Sequence, residues 1–436
     1  MNTQERMNNF LGKIATFFNT QPHISAIKDG IVTVTPFTII GGIALVIANP
    51  PIPENMDMTS FIGTILGGWK KIAEALSEYT TLANSLTLGI LSVYLTFTIA
   101  YLLAGKRKLN QLTTSIGALM VFFAIAAPVT GFDGTNAIPV SYLDAKGMFT
   151  AILVACVTVE VTNFLMKKNI HIRLPEAVPP MVAAPFEALI PFVANLILFM
   201  GIDAICQSVF KMQIPALIMQ IFSPLVATSD TLWAAILYAF LINAFWFLGL
   251  HGSNIVGAII NPFLLINLTA NAEAMSAGKE LPHVLVQNWN ILAVNFGGCG
   301  ATLAIVIACL LVAKSKYIRS ITKIGGFPTI FNISEPVTFG MPLMLNSYLM
   351  LPILLVPTLN SAVTYLCMSW NVIGRAFVPV PWTLPGPIAA FLATLDWKAA
   401  VLWVLLVIVD ILIYMPFIKM YDRTKLKEEK GEAQEG

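Results

Sequence analysis

Apolar runs of about twenty residues recur along the whole chain and constrain its fold more than any other feature. The hydrocarbon core of a bilayer is about 30 Å thick, so a spanning helix needs about 20 apolar residues. Only 11% of the 436 residues are charged, whereas a soluble domain carries about 25%. The sequence predicts an all-α polytopic membrane protein. About ten runs qualify as spanning helices, namely 30–48, 82–103, 112–127, 149–166, 183–210, 232–249, 255–268, 288–314, 344–367 and 399–418.

Basic residues predict the orientation of these runs. Lys106 to Lys108 and Lys167 to Arg173 mark two basic loops, while residues 50–60 and 129–144 contain no lysine or arginine. Because cytoplasmic loops are enriched in basic residues, both basic loops and both termini are predicted to be cytoplasmic. Apolar residues at helical spacing in 10–18 predict an amphipathic helix, either on the membrane surface or packed in the cytoplasm.

Charge and motif content exclude several classes of function. A net charge of only +2 gives no indication of nucleic-acid binding. No phosphate-binding Walker motif is present, so nucleotide-driven transport by this chain is not expected. The five cysteines lie mostly in apolar runs without a Cys-x-x-Cys pair, which favours packed thiols over disulfides or metal ligands. No metal and no cofactor is predicted.

The segment from Gly325 to Pro342 lies between apolar runs, yet it is rich in helix breakers and carries one carboxylate, Glu335. A membrane tolerates such backbone only where it is buried in protein or lines a wet cavity. An acid at this depth is costly, which makes Glu335 a candidate functional residue. The alternative is an acid that caps a helix amino terminus beside Pro336 and binds no ligand. Three other acids in apolar runs are expected to pair with polar groups between helices: Glu160, Glu187 and Asp410.

Polar residues near two other runs are further candidates. His251 follows a long apolar run, and the flanking Gly249 and Gly252 would let the backbone approach a ligand closely. A hydrogen-bonded structural histidine is the alternative. Asn295, close to several glycines, indicates either a close helix crossing or a broken helix that offers amide groups.

Three tryptophans lie beside these unusual segments: Trp246, Trp289 and Trp382. They are either interfacial residues or surfaces on which a ring-shaped ligand stacks. Indole rings, amides, one acid and one histidine together suit a neutral polyol, and no arginine cluster is present for an anionic substrate.

The motifs themselves resemble a known family. The segments FNISEPVTFGMP at 331–342, HGSN at 251–254 and NFGG at 295–298 closely resemble the membrane IIC component of the bacterial phosphoenolpyruvate-dependent sugar phosphotransferase system. The resemblance is to the branch for lactose, cellobiose and diacetylchitobiose, and it covers nearly the whole chain. Ser334 stands where many relatives are expected to have asparagine, which bears on the identity of the sugar.

The resemblance implies a homodimer built from distinct halves. Residues 1–29 would form a cytoplasmic amphipathic segment, and 30–211 the first five helices, which pack the dimer. Residues 212–424 would hold the sugar, with two re-entrant hairpins, one at the Glu335 segment and one at 379–387. The charged tail, 425–436, is predicted to be disordered.

The resemblance also implies a function. The family carries a disaccharide inward, here diacetylchitobiose or cellobiose, and presents its 6-hydroxyl to a phosphocysteine on a separate IIB protein, with IIA upstream. His251 and Glu335 would meet that hydroxyl, Asn295 would bind the sugar, and Trp246 and Trp382 would line the pocket. The chain would thus be the membrane subunit of a phosphotransferase. Further sugar contacts are expected from Gly249, Gly252, Asn254 and Ser334.

Two other classes of function stay open at this point. In a proton-coupled disaccharide symporter, Glu335 and Asp410 would carry the proton, and no partner protein would be needed. A structural or receptor membrane protein is the third possibility. Dependence on a phosphodonor separates the first two classes, and saturable uptake excludes the third.

Overall fold

Helices form nearly all of the regular structure in the computed structural model, which describes residues 21–52, 59–132, 135–175, 178–341 and 343–435. Short 3₁₀ turns at Leu88–Ile90 and Ala145–Gly147, a π-helical turn at Asn290–Val294 and an antiparallel hairpin of β1 (Thr130–Phe132) and β2 (Thr135–Ala137) complete it. The helices are α1 (Pro22–Thr33), α2 (Thr35–Ala48), α3 (Phe61–Ala75), α4 (Ser77–Thr87), α5 (Leu91–Lys106), α6 (Gln111–Ala126), α7 (Met148–Lys167), α8 (Pro180–Phe210), α9 (Ile214–Ser229), α10 (Leu232–Phe247), α11 (Gly252–Ser276), α12 (Thr302–Val312), α13 (Lys316–Thr329), α14 (Glu335–Gly340), α15 (Met350–Ser369), α16 (Gly386–Thr394) and α17 (Trp397–Glu435).

The long apolar helices make this chain a multi-pass membrane protein. An eighth candidate span would join α9 to α10, while α6 and α12 are apolar but shorter. The predicted run 288–314 is divided into the π-helical turn and α12, and the total of ten crossings stays a prediction. Within the described ranges, seven helical stretches are long and apolar enough to cross a bilayer: Pro22–Ala48, Ser77–Lys106, Ala145–Lys167, Val182–Phe210, Gly252–Ser276, Met350–Ser369 and Trp397–Glu429.

The chain divides into two compact units. Of the described residues, the amino-terminal unit comprises 21–44 and 78–227, and the carboxy-terminal unit comprises 45–77 and 228–435. α3 therefore groups with the second half of the chain, whereas the sequence analysis places it in segment 30–211. The predicted amphipathic helix in 10–18 lies outside the described residues.

α5 is the central helix of the amino-terminal unit and packs against α1, α6 and α7. Large apolar side chains at every fourth position, Leu91, Leu95, Ile99 and Leu103, are completely buried. This spacing places them on one face of the helix. Gly30 of α1 allows the close approach, because a Cβ there would lie 2.6 Å from Cγ1 of Ile99.

An ionic cluster joins three parts of the amino-terminal unit. Oε1 of Glu160 on α7 accepts a hydrogen bond from Nε of Arg107 at 2.7 Å and lies 2.9 Å from Nε2 of His23. Its other oxygen accepts from Nδ2 of Asn163 at 3.3 Å. The prediction that Glu160 pairs with polar groups between helices is confirmed.

In the carboxy-terminal unit, α10 packs against α15, and α17 packs against α12 and α16. Their shared core contains the fully buried rings of Trp289, Phe296 and Tyr414. Nε1 of Trp289 donates to Oγ of Ser361 at 2.8 Å. The interfacial interpretation of Trp289 is therefore wrong, because its ring lies inside the protein with its N–H satisfied.

The last helix, α17, continues through Glu435, so the tail that the sequence predicts to be disordered is helical. Lysine, glutamate and glutamine are good helix formers, and Lys425 pairs with Glu428 at 2.6 Å. The side chain of Glu429 also accepts from the main-chain N–H of Tyr317 at 3.0 Å and from the hydroxyl of Ser315 at 2.7 Å. These bonds tie the tail to the start of α13.

Candidate functional site

A glycine-rich turn between the π-helical segment and α12 places Asn295 inside the carboxy-terminal unit. Gly297, Gly298 and Gly300 have φ angles of 79°, 118° and 64°, a region that glycine occupies without steric cost. Gly298 is also tightly enclosed, since a Cβ there would lie 2.2 Å from Cβ of Ser334. Of the two arrangements left open by the sequence, the structure contains the broken helix.

Asn332 connects this glycine turn to the second proline-rich segment. Its Oδ1 accepts from the main-chain N–H of Gly297 at 3.1 Å, and its Nδ2 donates to the carbonyls of Trp382 at 2.8 Å and Leu384 at 2.9 Å. The residue has a φ of 61°, a left-handed conformation that asparagine tolerates better than most residues. One side chain thus holds together three segments that are far apart in sequence.

Ser334 and Thr338 hold the start of α14 against the same turn. Oγ of Ser334 accepts from the main-chain N–H of Cys299 at 3.4 Å. The hydroxyl of Thr338 lies 3.4 Å from Sγ of Cys299. All three side chains are buried. The contact between the Glu335 segment and the glycine turn is therefore a polar one inside an apolar core.

Glu335 is the first residue of α14, with Pro336 directly after it. This is the position of an acid near a helix amino terminus, where Pro is also favoured. Its side chain is exposed. The structure thus puts the carboxylate at the open edge of the polar contact that Ser334 forms.

His251 and Trp246 meet at the junction of α10 and α11. Their ring centroids are 4.4 Å apart, with the planes tilted by 45°. His251 precedes α11, and its Nδ1 accepts from the main-chain N–H of Asn254 at 3.3 Å. The turn between the two helices passes through Gly249, whose φ is 82°.

Gly252 has a packing role at this junction. A Cβ there would lie 1.9 Å from the carbonyl oxygen of Ile242, so the start of α11 directly contacts the backbone of α10. Gly252 is buried, whereas the side chains of His251 and Asn254 are exposed. The close approach that this glycine permits is between two helices.

An open-sided cavity lies beside Trp246 and reaches the glycine turn at Cys299 and α14 at Thr338. Two buried polar atoms of the candidate residues have no hydrogen-bond partner among the described residues: Nε1 of Trp246, whose side chain lines the cavity, and Oδ1 of Asn295. Buried donors and acceptors are normally satisfied, so these atoms are suited to a polar ligand. The cavity is lined by Trp246, Phe247, Cys299, Thr338, Leu343, Met344 and Ile353.

Two residues that the sequence analysis missed also bind the glycine turn. Oδ1 of Asn243 on α10 accepts from the main-chain N–H of Gly300 at 2.7 Å. The hydroxyl of Tyr414 on α17 donates to the carbonyl of Gly300 at 2.5 Å. Asn243 could have been singled out as a polar residue inside an apolar run, whereas no feature of the sequence distinguishes Tyr414.

The structure therefore gathers the predicted residues in two places of one unit. One group lies around the junction of α10 and α11: Trp246, Gly249, His251, Gly252 and Asn254. The other lies around Asn332 and the glycine turn: Asn295, Ser334, Glu335 and Trp382. Trp382 joins this second group through its main-chain carbonyl, while its indole is 63% exposed.

Comparison with known proteins identifies the family of this chain. A family model described as "Phosphotransferase system, EIIC" matches residues 28–357. The oligo-beta-mannoside-specific EIIC component of Bacillus subtilis (strain 168) is 32% identical over 436 residues, 98% of this chain and 96% of that protein. The lichenan permease IIC component of the same strain is 32% identical over 438 residues, 98% of this chain and 94% of that protein.

A lactose-specific EIICB component of Staphylococcus aureus (strain N315) is 32% identical over 417 residues, 94% of this chain and 70% of that protein. Among solved structures, this chain is similar to that of the transporter ChbC, which is the IIC component from the N,N'-diacetylchitobiose-specific phosphotransferase system. Its TM-score is 0.88 at 30% identity, covering 98% of this chain and 99% of that one. The similarity extends over the whole fold and is not confined to one motif.

Proposed function

The chain belongs to the EIIC family of the sugar phosphotransferase system, and on this basis we propose that it carries a disaccharide inward for phosphorylation. EIIC proteins are the transporter components of this system and work with IIA and IIB partners. Diacetylchitobiose and cellobiose are the proposed substrates. The observation that best supports the proposed site is the convergence of three motif-bearing segments on Asn332.

The proposed topology follows the family pattern. Ten helices cross the membrane, both termini are cytoplasmic, and the Glu335 and 379–387 segments form re-entrant hairpins. The chain works as a homodimer in which segment 30–211 packs against its copy and segment 212–424 binds the sugar. The basic loops at 106–108 and 167–173 support this orientation.

The cavity beside Trp246 is the proposed place for one sugar ring. It is open on one side and is lined by both aromatic and polar side chains, Trp246 and Thr338 among them. One ring would lie at the edge of the Trp246 indole, with one of its hydroxyl oxygens accepting from the indole N–H and another hydroxyl donating to Oδ1 of Asn295. The second ring would extend out of the open side, where the exposed Trp382 offers an aromatic surface.

Local hydrogen bonding supports different proposed roles for His251 and Glu335. Because Nδ1 of His251 accepts from the N–H of Asn254, a neutral imidazole carries its proton on Nε2. His251 would then donate a hydrogen bond to a sugar oxygen and orient it. Glu335 can only accept when ionised, so it would take the hydroxyl proton.

The proposed transfer is an in-line displacement. The 6-hydroxyl oxygen of the sugar attacks the phosphorus of the IIB phosphocysteine, and a P–O bond forms as the P–S bond breaks. The cysteine leaves as a thiolate that stays on IIB, and the hydroxyl proton passes to the Glu335 carboxylate. General base catalysis of this kind typically contributes about 10²- to 10⁴-fold in rate.

The experiment is to replace Glu335 by glutamine, which keeps its shape and removes the base. We expect sugar affinity, measured by calorimetry on the purified protein, to change by a few-fold at most. Phosphorylation by phosphorylated IIB should fall by about 10²-fold or more. Glu280→Gln, at an exposed loop acid, serves as the control. A normal phosphorylation rate in Glu335→Gln would contradict the assigned role.

Family membership does not favour the proton-coupled symporter. A symporter would accumulate unmodified sugar in response to a proton gradient and without partner proteins. In the proposed mechanism, phosphorylation retains the sugar inside, so uptake requires the phosphorylated IIB protein. Comparing the chemical form of the accumulated sugar with and without that partner distinguishes the two functions.

A further inference from the structure

The carboxyl group of Asp410 is buried where a charge is most costly. Asp410 lies on α17, twelve residues after Lys398 and nine before Lys419. At a rise of 1.5 Å per residue, these lysines are about 18 Å and about 14 Å away along the helix. The residue has no exposed surface. Charged side chains near the middle of a bilayer are rare because burying them is unfavourable.

The partner of Asp410 is an amide and not a base. Nδ2 of Asn360 on α15 donates to Oδ2 of Asp410 at 2.7 Å, and Asn360 is also fully buried. The remaining oxygen of each group, Oδ1 of Asp410 and Oδ1 of Asn360, has no hydrogen-bond partner within the described ranges. The Asn360 amide thus supplies the one N–H donor of this pair, and one acceptor oxygen on each side chain is left without a donor.

We propose that Asp410 binds one proton and, as a neutral acid, donates it from Oδ1 to Oδ1 of Asn360. The two side chains then form a cyclic pair with two hydrogen bonds that joins α15 to α17. A single proton satisfies both remaining oxygens and removes the buried charge. This proposal concerns the protein's own protonation state and does not depend on the identity of the sugar.

A metal ion fits this place poorly. The pair offers two oxygens, whereas hard cations such as Mg²⁺ and Ca²⁺ take six or more oxygen ligands. The described residues contain no group of three or more histidine, cysteine, aspartate or glutamate side chains that could hold a metal. A bridging water would satisfy both oxygens but would leave the carboxylate charge unpaired.

The titratable groups around Asp410 do not supply a counter-charge. On its own helix, the nearest is Tyr414, one turn further on, with its hydroxyl bound to Gly300. α16 has no titratable residue. On α15, Tyr365 donates to the carbonyl of Asp230. Two thiols lie on the other packed helices, Cys367 on α15 and Cys309 on α12. The titratable residues of α13 are all exposed: Lys316, Tyr317, Arg319 and Lys323.

The proposed pair lies close to the glycine turn. Tyr414, which follows Asp410 by one helical turn, holds the carbonyl of Gly300. Loss of the proton would break one of the two hydrogen bonds to Asn360 and leave a charge between α15 and α17. Because the proton is lost as the pH rises, the contact between these helices should weaken on the alkaline side.

Infrared spectroscopy of the purified full-length protein tests the proposal directly. At neutral pH we expect the carbonyl band of a protonated carboxylic acid, shifted in deuterium oxide. Asp410→Asn should abolish this band, and Glu280→Gln should leave it unchanged. Absence of the band in the wild type, or its survival in Asp410→Asn, would overturn the proposal.

A second variant keeps the test decisive if Asp410→Asn does not fold. Asn360→Leu removes the partner amide, so the carboxylic acid band should move to higher frequency; an unmoved band would contradict the cyclic pair.

Thermal melting provides an independent readout. Asp410→Asn retains a neutral amide pair at every pH, so it should lack the loss of stability that the wild type shows as the pH rises above about 4, the pKa of an unfolded aspartate. A wild-type melting temperature that rises with sodium chloride but not with choline chloride, with no such effect in Asp410→Asn, would show a cation in place of the proton.

Discussion

Replacement of Asn332 by glycine tests whether one side chain organises the proposed sugar site. The amide makes three hydrogen bonds to main-chain groups of Gly297, Trp382 and Leu384. Glycine accepts the left-handed backbone conformation of this residue, with its φ of 61°, so the substitution removes the three bonds without adding strain.

The expected magnitude follows from these contacts. At about 1 kcal/mol of net stabilisation per hydrogen bond, the loss is about 3 kcal/mol. If the whole loss appears in the free energy of sugar binding, the sugar Kd should rise about 100-fold, since about 1.4 kcal/mol corresponds to a factor of ten. Calorimetric titration of the purified protein with diacetylchitobiose and cellobiose measures this change.

Two further variants sharpen the comparison. Asn332→Asp keeps the acceptor for the Gly297 N–H but turns a carboxylate towards two carbonyl oxygens, so its loss of affinity should be at least as large as that of the glycine variant. Asn371→Gly, at an exposed asparagine with a φ of 55°, is the matched control and should bind normally. Wild-type affinity in Asn332→Gly would refute the organising role.

Three other substitutions probe the surrounding contacts. Tyr414→Phe removes one hydrogen bond to the glycine turn, worth about 1 kcal/mol, and should raise the sugar Kd about fivefold in the same titration. Gly298→Ala places a Cβ 2.2 Å from a serine Cβ and should reduce binding more than tenfold, while Gly201→Ala, with nothing within 4 Å, should bind and melt normally. Asp230→Ala removes the carboxylate that accepts from two main-chain N–H groups; it should lower the free energy of unfolding by about 2 kcal/mol, seen as a lower melting temperature in detergent.

The sequence predicts the helices well because the bilayer imposes their length. The run predicted at 149–166 lies within α7, and that at 399–418 lies within α17. The interrupted helix near Asn295 was one of two open interpretations, since glycine clusters occur both at helix crossings and at breaks. The helical tail was missed because its charged composition is shared by disordered segments and exposed helices.

The organising contacts of the site were harder to predict, because they depend on tertiary pairing. Asn332 appears in the motif, but its partners lie 35 and 50 residues away, and no local pattern specifies them. Gly252 was interpreted as an approach point for a ligand, whereas its closest neighbour is the backbone of α10. The roles of Asn243 and Tyr414 depend on helices that meet only in the folded chain.

Sugar uptake into membrane vesicles that contain this protein tests the central claim most directly. Radiolabelled diacetylchitobiose and cellobiose would be supplied with and without phosphorylated IIB, and the product inside would be identified chemically. The account predicts that sugar phosphate accumulates only when phosphorylated IIB is present. Accumulation of unmodified sugar, driven by a proton gradient in the absence of IIB, would contradict it and identify the protein as a symporter.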